Sequence, residues 1–461
     1  MNFASIHKIY FIGIGGIGMS ALARYFRLHG AEVHGYDRTE TDLTRALVAE
    51  GMQVHYEDDV KFIPEGIDLV VFTPAVPKEH SELCWFMDNG YPVKKRAEVL
   101  GIISQAKRCI AIAGTHGKTT TSTMATHLLR ACGVDATAFV GGISGNLASN
   151  FVEGKSDWVV VEADEYDRSF LHLHPEIAVI NSVDADHLDI YGTAAEVLAT
   201  YKQFAEQVKP GGQLLLEQSI DFQLPSSKTF GIETGNYAAK NIRMENGYTV
   251  FDLDIQDGNN ILQQFKGLQL PYPGLHNVKN ATAAIAVTLL AGGDASKIPA
   301  ALANFKGVKR RFETIAKTET TVYVDDYAHH PAELEAAISA ARMMYPNRKI
   351  TGIFQPHLFT RTRDFANDFA TALDKLDECI LLPIYPAREQ PIEGITSEML
   401  LQKMTSTNKQ LVQKNDLIIY LKSKNKNNNN NNNLDILITL GAGDIDTLIT
   451  PIKELITHNN P

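Results

Sequence analysis

The residues with the clearest chemical potential are a lysine and three threonines that follow a glycine turn. They lie in Gly114-Thr115-His116-Gly117-Lys118-Thr119-Thr120-Thr121, between an apolar run at 109–113 and a helix-like segment at 122–132. Backbone N–H groups at a helix start face an anion, a lysine can neutralise terminal phosphate charge, and a threonine hydroxyl can ligate Mg²⁺. The spacing departs from the general phosphate-loop pattern, because Ile112 stands where that pattern has glycine. The stretch predicts an ATP site; the alternative is an ordinary turn with a solvated lysine.

Acidic residues and a histidine follow two further apolar runs. Glu162 ends the run at 157–162, and His187 follows the run at 177–181, between Asp186 and Asp189. The carboxyl ends of parallel strands meet at one edge of a sheet, where a carboxylate can hold a Mg²⁺ that bridges phosphate oxygens. We therefore expect Thr119 and Glu162 to hold Mg²⁺ and His187 to ligate a metal, with a structural role for His187 as the alternative. Glu165 is open to interpretation as a solvated charge.

Another glycine turn lies near the start of the chain and is called the first glycine turn, because it precedes the one at 114–117. Gly13-Ile14-Gly15-Gly16-Ile17-Gly18 follows an apolar run, and Asp37 comes about 20 residues later. This spacing lets a diphosphate approach a helix N-terminus, so Gly15, Gly16, Ile17, Gly18 and Asp37 are candidate substrate contacts. The pattern fits a nucleotide sugar, but it also fits NAD or tight helix–strand packing alone.

Two polar segments follow strand-like runs in the last third of the chain. The first is 325–331, which includes Asp325, His329 and His330, and the second is 354–364, which includes Arg361 and Arg363. Either arginine can bind a carboxylate through two N–H groups or stabilise a transferring phosphoryl group. The alternative is that they are surface arginines.

Alternating strand and helix patterns predict the elements that position these residues. We expect an α/β protein of three domains, at 1–105, 106–306 and 307–461. The first and last are predicted to be Rossmann-like. The middle one is predicted to be a parallel sheet like that of P-loop ATPases, with a small β insertion at 211–269.

Composition narrows the classes of function. The 461 residues carry a net charge of −11, which argues against a nucleic-acid partner. No apolar run approaches the roughly 20 residues of a membrane span. The four cysteines are far apart and are expected to be reduced and buried, which is typical of a cytoplasmic protein. The asparagine-rich segment at 422–433 is expected to be a surface loop.

Taken together, the motifs resemble those of the Mur ligase family over nearly the whole chain. Beside the two glycine turns and the segments at 162–165 and 186–189, the resemblance rests on 73–77, 276–280, 310–312 and 325–331. It implies that the three domains bind a UDP-sugar, ATP and an amino acid in turn. The expected reaction joins L-alanine to the carboxyl of UDP-N-acetylmuramate through an acyl phosphate, in cytoplasmic peptidoglycan synthesis and hence cell-wall biogenesis, cell shape and cell division.

The resemblance also implies roles for particular residues. Lys118, His187, His330 and Arg361 are expected to be catalytic, and Thr73, Pro74 and Ala75 to contact the UDP-sugar. ATP contacts are expected at 114–120 and at His276, Asn277, Asn280, Arg311 and Asp325. The acceptor pocket is expected to contain His329, His330, Arg361 and Arg363.

Three alternative functions stay open from the sequence. A sibling ligase joins a preformed tripeptide to the same UDP-sugar and shares most of these motifs. The first glycine turn leaves an NAD-dependent oxidoreductase possible, and the second leaves a non-catalytic nucleotide switch. The chain is expected to be a monomer or a homodimer.

Overall fold

The computed structural model describes residues 3–184, 188–225, 227–258, 260–387, 389–426 and 434–458. The chain divides into two compact units, which we describe separately. The first unit comprises Met1–Asn241, Phe251–Gln269 and Lys279–Lys306. The second comprises Ile242–Val250, Leu270–Val278 and Gly307–Pro461.

The first unit begins with a five-stranded parallel sheet. Its strand order is β3-β2-β1-β4-β5, and its strand pairs are parallel, as the alternating strand and helix pattern predicted. In β1, Ile9 and Phe11 pack on one face of the sheet, and Tyr10 and Ile12 pack on the other. The elements are β1 (Lys8–Ile12), α1 (Ile17–Leu28), β2 (Glu32–Tyr36), α2 (Asp42–Ala49), β3 (Gln53–His55), β4 (Leu69–Phe72), α3 (Ser81–Asp88), β5 (Val93–Lys95) and α4 (Arg96–Gln105).

The next part of the chain contains a ten-stranded sheet of order β15-β14-β13-β12-β11-β10-β6-β9-β7-β8, most of which lies in the first unit. The ends of β13 and β15 and the starts of β14 and α8 belong to the second unit. The insertion extends this sheet, and its last three strands are 9, 10 and 11 residues long. Its elements are β6 (Arg108–Ala113), α5 (Lys118–Ala131), β7 (Thr137–Phe139), β8 (Phe151–Val152), β9 (Trp158–Glu162), β10 (Ile177–Ile180), α6 (Leu188–Tyr191), α7 (Ala194–Glu206), β11 (Gln213–Glu217), β12 (Ser227–Ile232), β13 (Tyr237–Glu245), β14 (Tyr248–Asp257), β15 (Asn260–Leu270), α8 (Leu275–Leu290) and α9 (Ile298–Ala303).

The second unit contains a six-stranded sheet of order β16-β17-β21-β18-β19-β20. Only the edge pair β16–β17 is antiparallel among its strand pairs in the described residues. Its elements are β16 (Glu313–Lys317), β17 (Val322–Asp326), α10 (Pro331–Met344), β18 (Ile350–Phe354), α11 (Phe359–Asp364), α12 (Ala366–Leu373), β19 (Glu378–Leu381), α13 (Ser397–Lys403), β20 (Lys409–Leu411), α14 (Leu417–Lys426), β21 (Ile436–Leu440) and α15 (Ile449–His458).

Three α/β sheet systems, parallel but for one mixed middle sheet and one edge strand, confirm the predicted fold class. The four cysteines are free, but Cys84 is partly exposed, so the expectation that all four are buried is wrong for that residue. Most of the asparagine-rich segment, 427–433, lies outside the described residues. Within the described chain, no helix has the length and apolar character needed to cross a membrane.

Candidate active site

Strand register brings three loops of the first unit to one edge of the central sheet. β6 lies between β10 and β9, with Ala113 beside Ile180 and Ile112 beside Glu162. The loop at 114–117 therefore leaves the sheet beside the residues that follow β9 and β10. Open α/β sheets bind ligands at this edge, outside the carboxyl ends of the strands.

The phosphate loop, defined here as residues 114–119, requires its two glycines. Gly114 and Gly117 have φ angles of 134° and 78°, which other residues rarely adopt. A Cβ on Gly117 would lie 2.5 Å from Oδ1 of Asn280. The Asn280 Oδ1 also accepts a hydrogen bond from the Thr121 hydroxyl at 3.1 Å. Asn280, one of the predicted ATP contacts, therefore lies against Gly117 of the phosphate loop and Thr121 of α5.

The loop is fastened to the chain that follows β10. The backbone N–H of His116 donates to the Ser182 hydroxyl at 2.9 Å. The Thr115 hydroxyl donates to the Asp184 carbonyl at 3.1 Å and accepts from the Asp184 N–H at 2.9 Å. These bonds fix the loop backbone, while Thr120 lies half-buried in the first turn of α5.

Lys118 folds back over the loop that precedes it. Its Nζ donates to the carbonyls of Gly114 at 2.7 Å and Thr115 at 3.2 Å, and it lies 2.8 Å from Oε2 of Glu165. Burial alone would lower the pKa of Lys118, but the neighbouring carboxylates, Glu165 first, raise it above its ordinary value. The lysine is therefore held charged at the loop. Because Glu165 is buried at this pair, its interpretation as a solvated charge is wrong.

Thr119 and Glu162 meet at the start of α5. The Thr119 hydroxyl donates to Oε1 of Glu162 at 3.0 Å, and the N–H of Gly141 donates to Oε2 at 2.8 Å. A hydroxyl and a carboxylate are the oxygen ligands that Mg²⁺ prefers, so this pair fits the predicted ion. His187, the third predicted ligand, lies outside the described residues. Within the described chain, no three His, Cys, Asp or Glu side chains form a metal-binding group.

The first glycine turn is closed by Asp37. The N–H groups of Gly13 and Ile14 donate to the Tyr36 carbonyl at 2.8 and 3.0 Å, and the N–H of Gly15 donates to the Asp37 carboxylate at 2.8 Å. Asp37 therefore holds the turn at the end of β2. Pro74, a predicted substrate contact, is exposed after β4.

A cavity of about 310 Å³ connects this turn with Glu162. Both belong to the first unit. Gly16, Ile17 and Gly18 line one side, and Glu162 and Asp164 line another. The remaining lining residues include Thr73, Ala75, Arg96, Leu100, and the segment Phe139, Val140 and Gly141. A ligand in this cavity would contact the N-terminus of α1 and the carboxylate that Thr119 contacts.

In the second unit, a histidine–arginine cluster forms where β17 and β18 end; it comprises Arg311, His329, His357 and Arg361. The rings of His329 and His357 lie 6.1 Å apart, and Nη1 of Arg361 lies 3.5 Å from Nδ1 of His357. Arg361 is buried, with 8% of its surface exposed. His357 was not predicted as a site residue, although it stands four residues before Arg361.

The cluster keeps its central histidine neutral. Burial lowers the pKa of His329 to about 4; the Glu333 carboxylate opposes this shift, and the charges of Arg361 and Arg311 add to it. Glu333 lies 3.3 Å from Nδ1 of His329 and 4.0 Å from Nη1 of Arg311. Two cations beside a neutral imidazole can receive an anionic group such as an amino-acid carboxylate.

The other residues predicted for the second unit have different surroundings. His330 caps α10, since its Nδ1 accepts from the Ala332 N–H at 3.4 Å, and its ring packs edge-on against Phe365. Arg363 is half exposed and pairs with the adjacent Asp364 at 2.7 Å.

Asp325 is fully buried, and its carboxylate accepts hydrogen bonds from neighbouring side chains. Its carboxylate accepts from Arg310 at 2.9 Å and from the Thr439 hydroxyl at 2.7 Å. At the start of α8, Asn277 donates to the Pro273 carbonyl at 2.7 Å, and His276 lies beside Gly274. Arg310, which donates to Asp325, was not among the predicted site residues.

Comparisons with known proteins agree with the motif resemblance. Three family models match in order: the Mur ligase family catalytic domain at residues 8–108, the Mur ligase middle domain at 112–288, and the Mur ligase glutamate ligase domain at 310–443. Together they span most of the chain. The chain belongs to the Mur ligase family, and the predicted resemblance is confirmed.

Individual relatives narrow the likeness within the family. The chain is 47% identical to a UDP-N-acetylmuramate–L-alanine ligase of Cytophaga hutchinsonii, covering 99% of this chain and 98% of the relative. A solved UDP-N-acetylmuramate–alanine ligase of Thermotoga maritima superposes with a TM-score of 0.83 at 27% identity, covering 98% of this chain and 100% of that one. A murein peptide ligase of Psychrobacter arcticus shares the fold, with a TM-score of 0.70 at 22% identity and 99% of each chain covered.

Proposed function

We propose that this chain uses ATP to join L-alanine to the carboxyl of UDP-N-acetylmuramate. The observation that carries the proposal is the cavity of about 310 Å³, which is lined by the first glycine turn and by Glu162. Glu162 in turn contacts Thr119 of the phosphate loop at 3.0 Å. A nucleotide sugar in this cavity would therefore bring its acid group to the side of the loop where a phosphoryl group would be transferred. The activity named for the Cytophaga relative supports the choice of substrates.

The first chemical step needs positioning and positive charge. A carboxylate oxygen of the sugar acid attacks the terminal phosphorus of ATP, the bond from that phosphorus to the bridging oxygen breaks, and ADP leaves. Lys118, which the structure holds charged at the loop, is placed to neutralise terminal phosphate charge. We assign Mg²⁺ to the Thr119 hydroxyl and Glu162, where it would offset the phosphate charge.

The second step forms the amide. The amine of L-alanine attacks the carbonyl carbon of the acyl phosphate, the tetrahedral intermediate expels inorganic phosphate, and the amine loses a proton. We assign the alanine carboxylate to the histidine–arginine cluster, because Arg361 and Arg311 supply charge there. His329, neutral above about pH 4, has a ring nitrogen that can exchange a proton.

The remaining predicted assignments are also part of this proposal. They include Asn280 at the phosphate loop, the ATP contacts of His276, Asn277 and Asp325, the roles of His187 and His330, and the domain boundaries at 105 and 306. The cytoplasmic location and the monomer or homodimer state also stay predictions.

The test is phosphate release from ATP with Mg²⁺ and UDP-N-acetylmuramate, with each amino acid supplied in turn. We expect release that depends on L-alanine and a product whose mass equals the two substrates less one water. The tripeptide L-alanyl-D-glutamyl-diaminopimelate is the matched acceptor. Preference for the tripeptide would assign the chain to the recycling reaction, and ATP binding without turnover on either acceptor would favour a nucleotide switch.

A further inference from the structure

A guanidinium lies over the first turn of the helix that follows the first glycine turn. Arg96 opens α4, and its side chain is 19% exposed. Its Nη2 donates to Oδ2 of Asp164 at 3.1 Å, so the guanidinium also contacts the segment that follows β9. Of the described residues that line the 310 Å³ cavity, Arg96 alone carries a positive charge. The sequence motifs did not point to it.

Gly18 makes the space for this guanidinium. A Cβ at position 18 would lie 2.7 Å from Nη1 of Arg96 and 3.2 Å from its Cδ. Gly18 lies within α1 and is not among the glycines of positive φ, so its backbone conformation does not require glycine. Gly18, the last glycine of the turn, is therefore needed for the close approach of Arg96.

The position of the guanidinium indicates which anion it receives. Nη1 lies at the first turn of α1, where unpaired backbone N–H groups and the helix dipole favour negative charge. A guanidinium matches phosphate oxygens because two of its N–H groups can donate in parallel. Asp164 holds the other edge of the guanidinium and so fixes its orientation.

We propose that Arg96 binds the diphosphate of the nucleotide sugar, together with the N-terminus of α1, and that Gly18 is the positioning residue that lets it do so. This inference rests on the proposed function, since it assumes that the cavity holds a UDP-sugar. It adds a binding residue outside the glycine turn, on α4. The same side chain links the diphosphate to Asp164, two residues beyond Glu162.

Isothermal titration of the full chain with two nucleotide sugars tests the proposal. UDP-N-acetylmuramate and UDP-N-acetylglucosamine share the diphosphate, but the second has no carboxylate. We expect Arg96→Ala to weaken both ligands by roughly ten- to a hundredfold, as for loss of a charge-assisted hydrogen bond. Arg96→Lys, which keeps the charge but loses the paired N–H groups, should weaken both by less. ATP affinity should not change.

Gly18→Ala gives an independent readout. Its added Cβ displaces the guanidinium, so we expect a loss similar to that of Arg96→Ala and little further loss when the two are combined. Arg108→Ala is the matched control, because Arg108 also pairs with a carboxylate, Glu176, but lies at the other end of the central sheet. That variant should bind both sugars as the wild type does.

Any other binding result would overturn a particular part of the proposal. Weakening of UDP-N-acetylmuramate alone would assign Arg96 to the carboxylate and reject the diphosphate contact. Unchanged affinity for both sugars, with altered melting temperature only, would leave Arg96 a purely structural role. If the wild type binds neither sugar while it binds ATP, the proposed function itself fails, which is distinguishable from failure of the Arg96 variants.

Discussion

The phosphate loop and the histidine–arginine cluster are built in different ways. The loop is one contiguous segment, and its shape comes from two glycines of positive φ and from backbone hydrogen bonds. The cluster takes one residue from before β16, one from after β17, one from after β18 and one from α11. A contiguous loop can be read from a motif, whereas an assembled cluster depends on how the sheet orders its strands.

The two regions also shift the pKa values of their central residues in opposite directions. Around Lys118 the carboxylates are in excess, and they raise its pKa. Around His329 the burial and the two arginines lower the pKa, with Glu333 as the opposing carboxylate. The first region is suited to cations and the phosphates they accompany. The second is suited to a small anion beside a neutral base.

The largest expected effect is at the phosphate loop. Lys118→Ala should lower kcat by roughly 10³-fold, because it removes the charge that opposes the developing phosphate charge. The measurement is ADP formation at saturating substrates. Lys107→Ala is the control, since the Nζ of Lys107 donates to the backbone carbonyl of Ser156 and the residue precedes β6, at the end opposite the phosphate loop. A Lys118→Ala enzyme within tenfold of wild type would remove the loop from the chemistry.

A smaller loss is expected from the threonine that contacts Glu162. Thr119→Val removes the hydroxyl but keeps the shape, and we expect a loss of roughly a hundredfold with a higher Mg²⁺ requirement. Thr119→Ser keeps the hydroxyl and should stay near the wild-type rate. The measurement is the rate as a function of Mg²⁺ concentration. Equal Mg²⁺ dependence in all three proteins would contradict the metal assignment.

The two arginines of α11 provide a test of the histidine–arginine cluster. Arg361 is buried beside His357, whereas Arg363 is half exposed and paired with Asp364. Arg361→Ala should raise KM for L-alanine by roughly ten- to thirtyfold, with a smaller change in KM for ATP. Arg363→Ala should change KM for L-alanine less than about twofold, as expected for an exposed ion pair. The reverse order would move the acceptor pocket to the exposed side of α11.

The features predicted correctly from the sequence are those that depend on residues close together in the chain. Both glycine turns, the placement of Glu162 at a strand end and the parallel sheets agree with the pattern, because each depends on local spacing. Glu165, His357 and Arg96 were not predicted as site residues, since their roles arise from contacts between distant segments. Arg361 and Arg363 have the same residue type and neighbouring positions, so only burial separates them.

The last expected effect is on stability rather than on activity, and it is the pH response of the cluster. The pKa of His329 is about 4 in the folded chain, below the ordinary value of 6.5, so the unfolded chain binds more protons between these values. His329 therefore contributes stability that is complete above about pH 6.5 and is lost as pH falls towards 4, by about 3 kcal/mol in total. Buried Asp326, with its pKa raised to about 6, acts in the opposite direction over part of this range.

The comparison with His329→Gln isolates the histidine, because Asp326 is present in both proteins. The free energy of unfolding, measured by urea denaturation between pH 4.5 and 7.5, should rise more steeply with pH in the wild type than in the variant. The unfolding of the second unit should show the difference, since His329 lies there. Parallel pH profiles would mean that the pKa of His329 is the same in the folded and the unfolded chain, which contradicts a histidine kept neutral by burial and the two arginines.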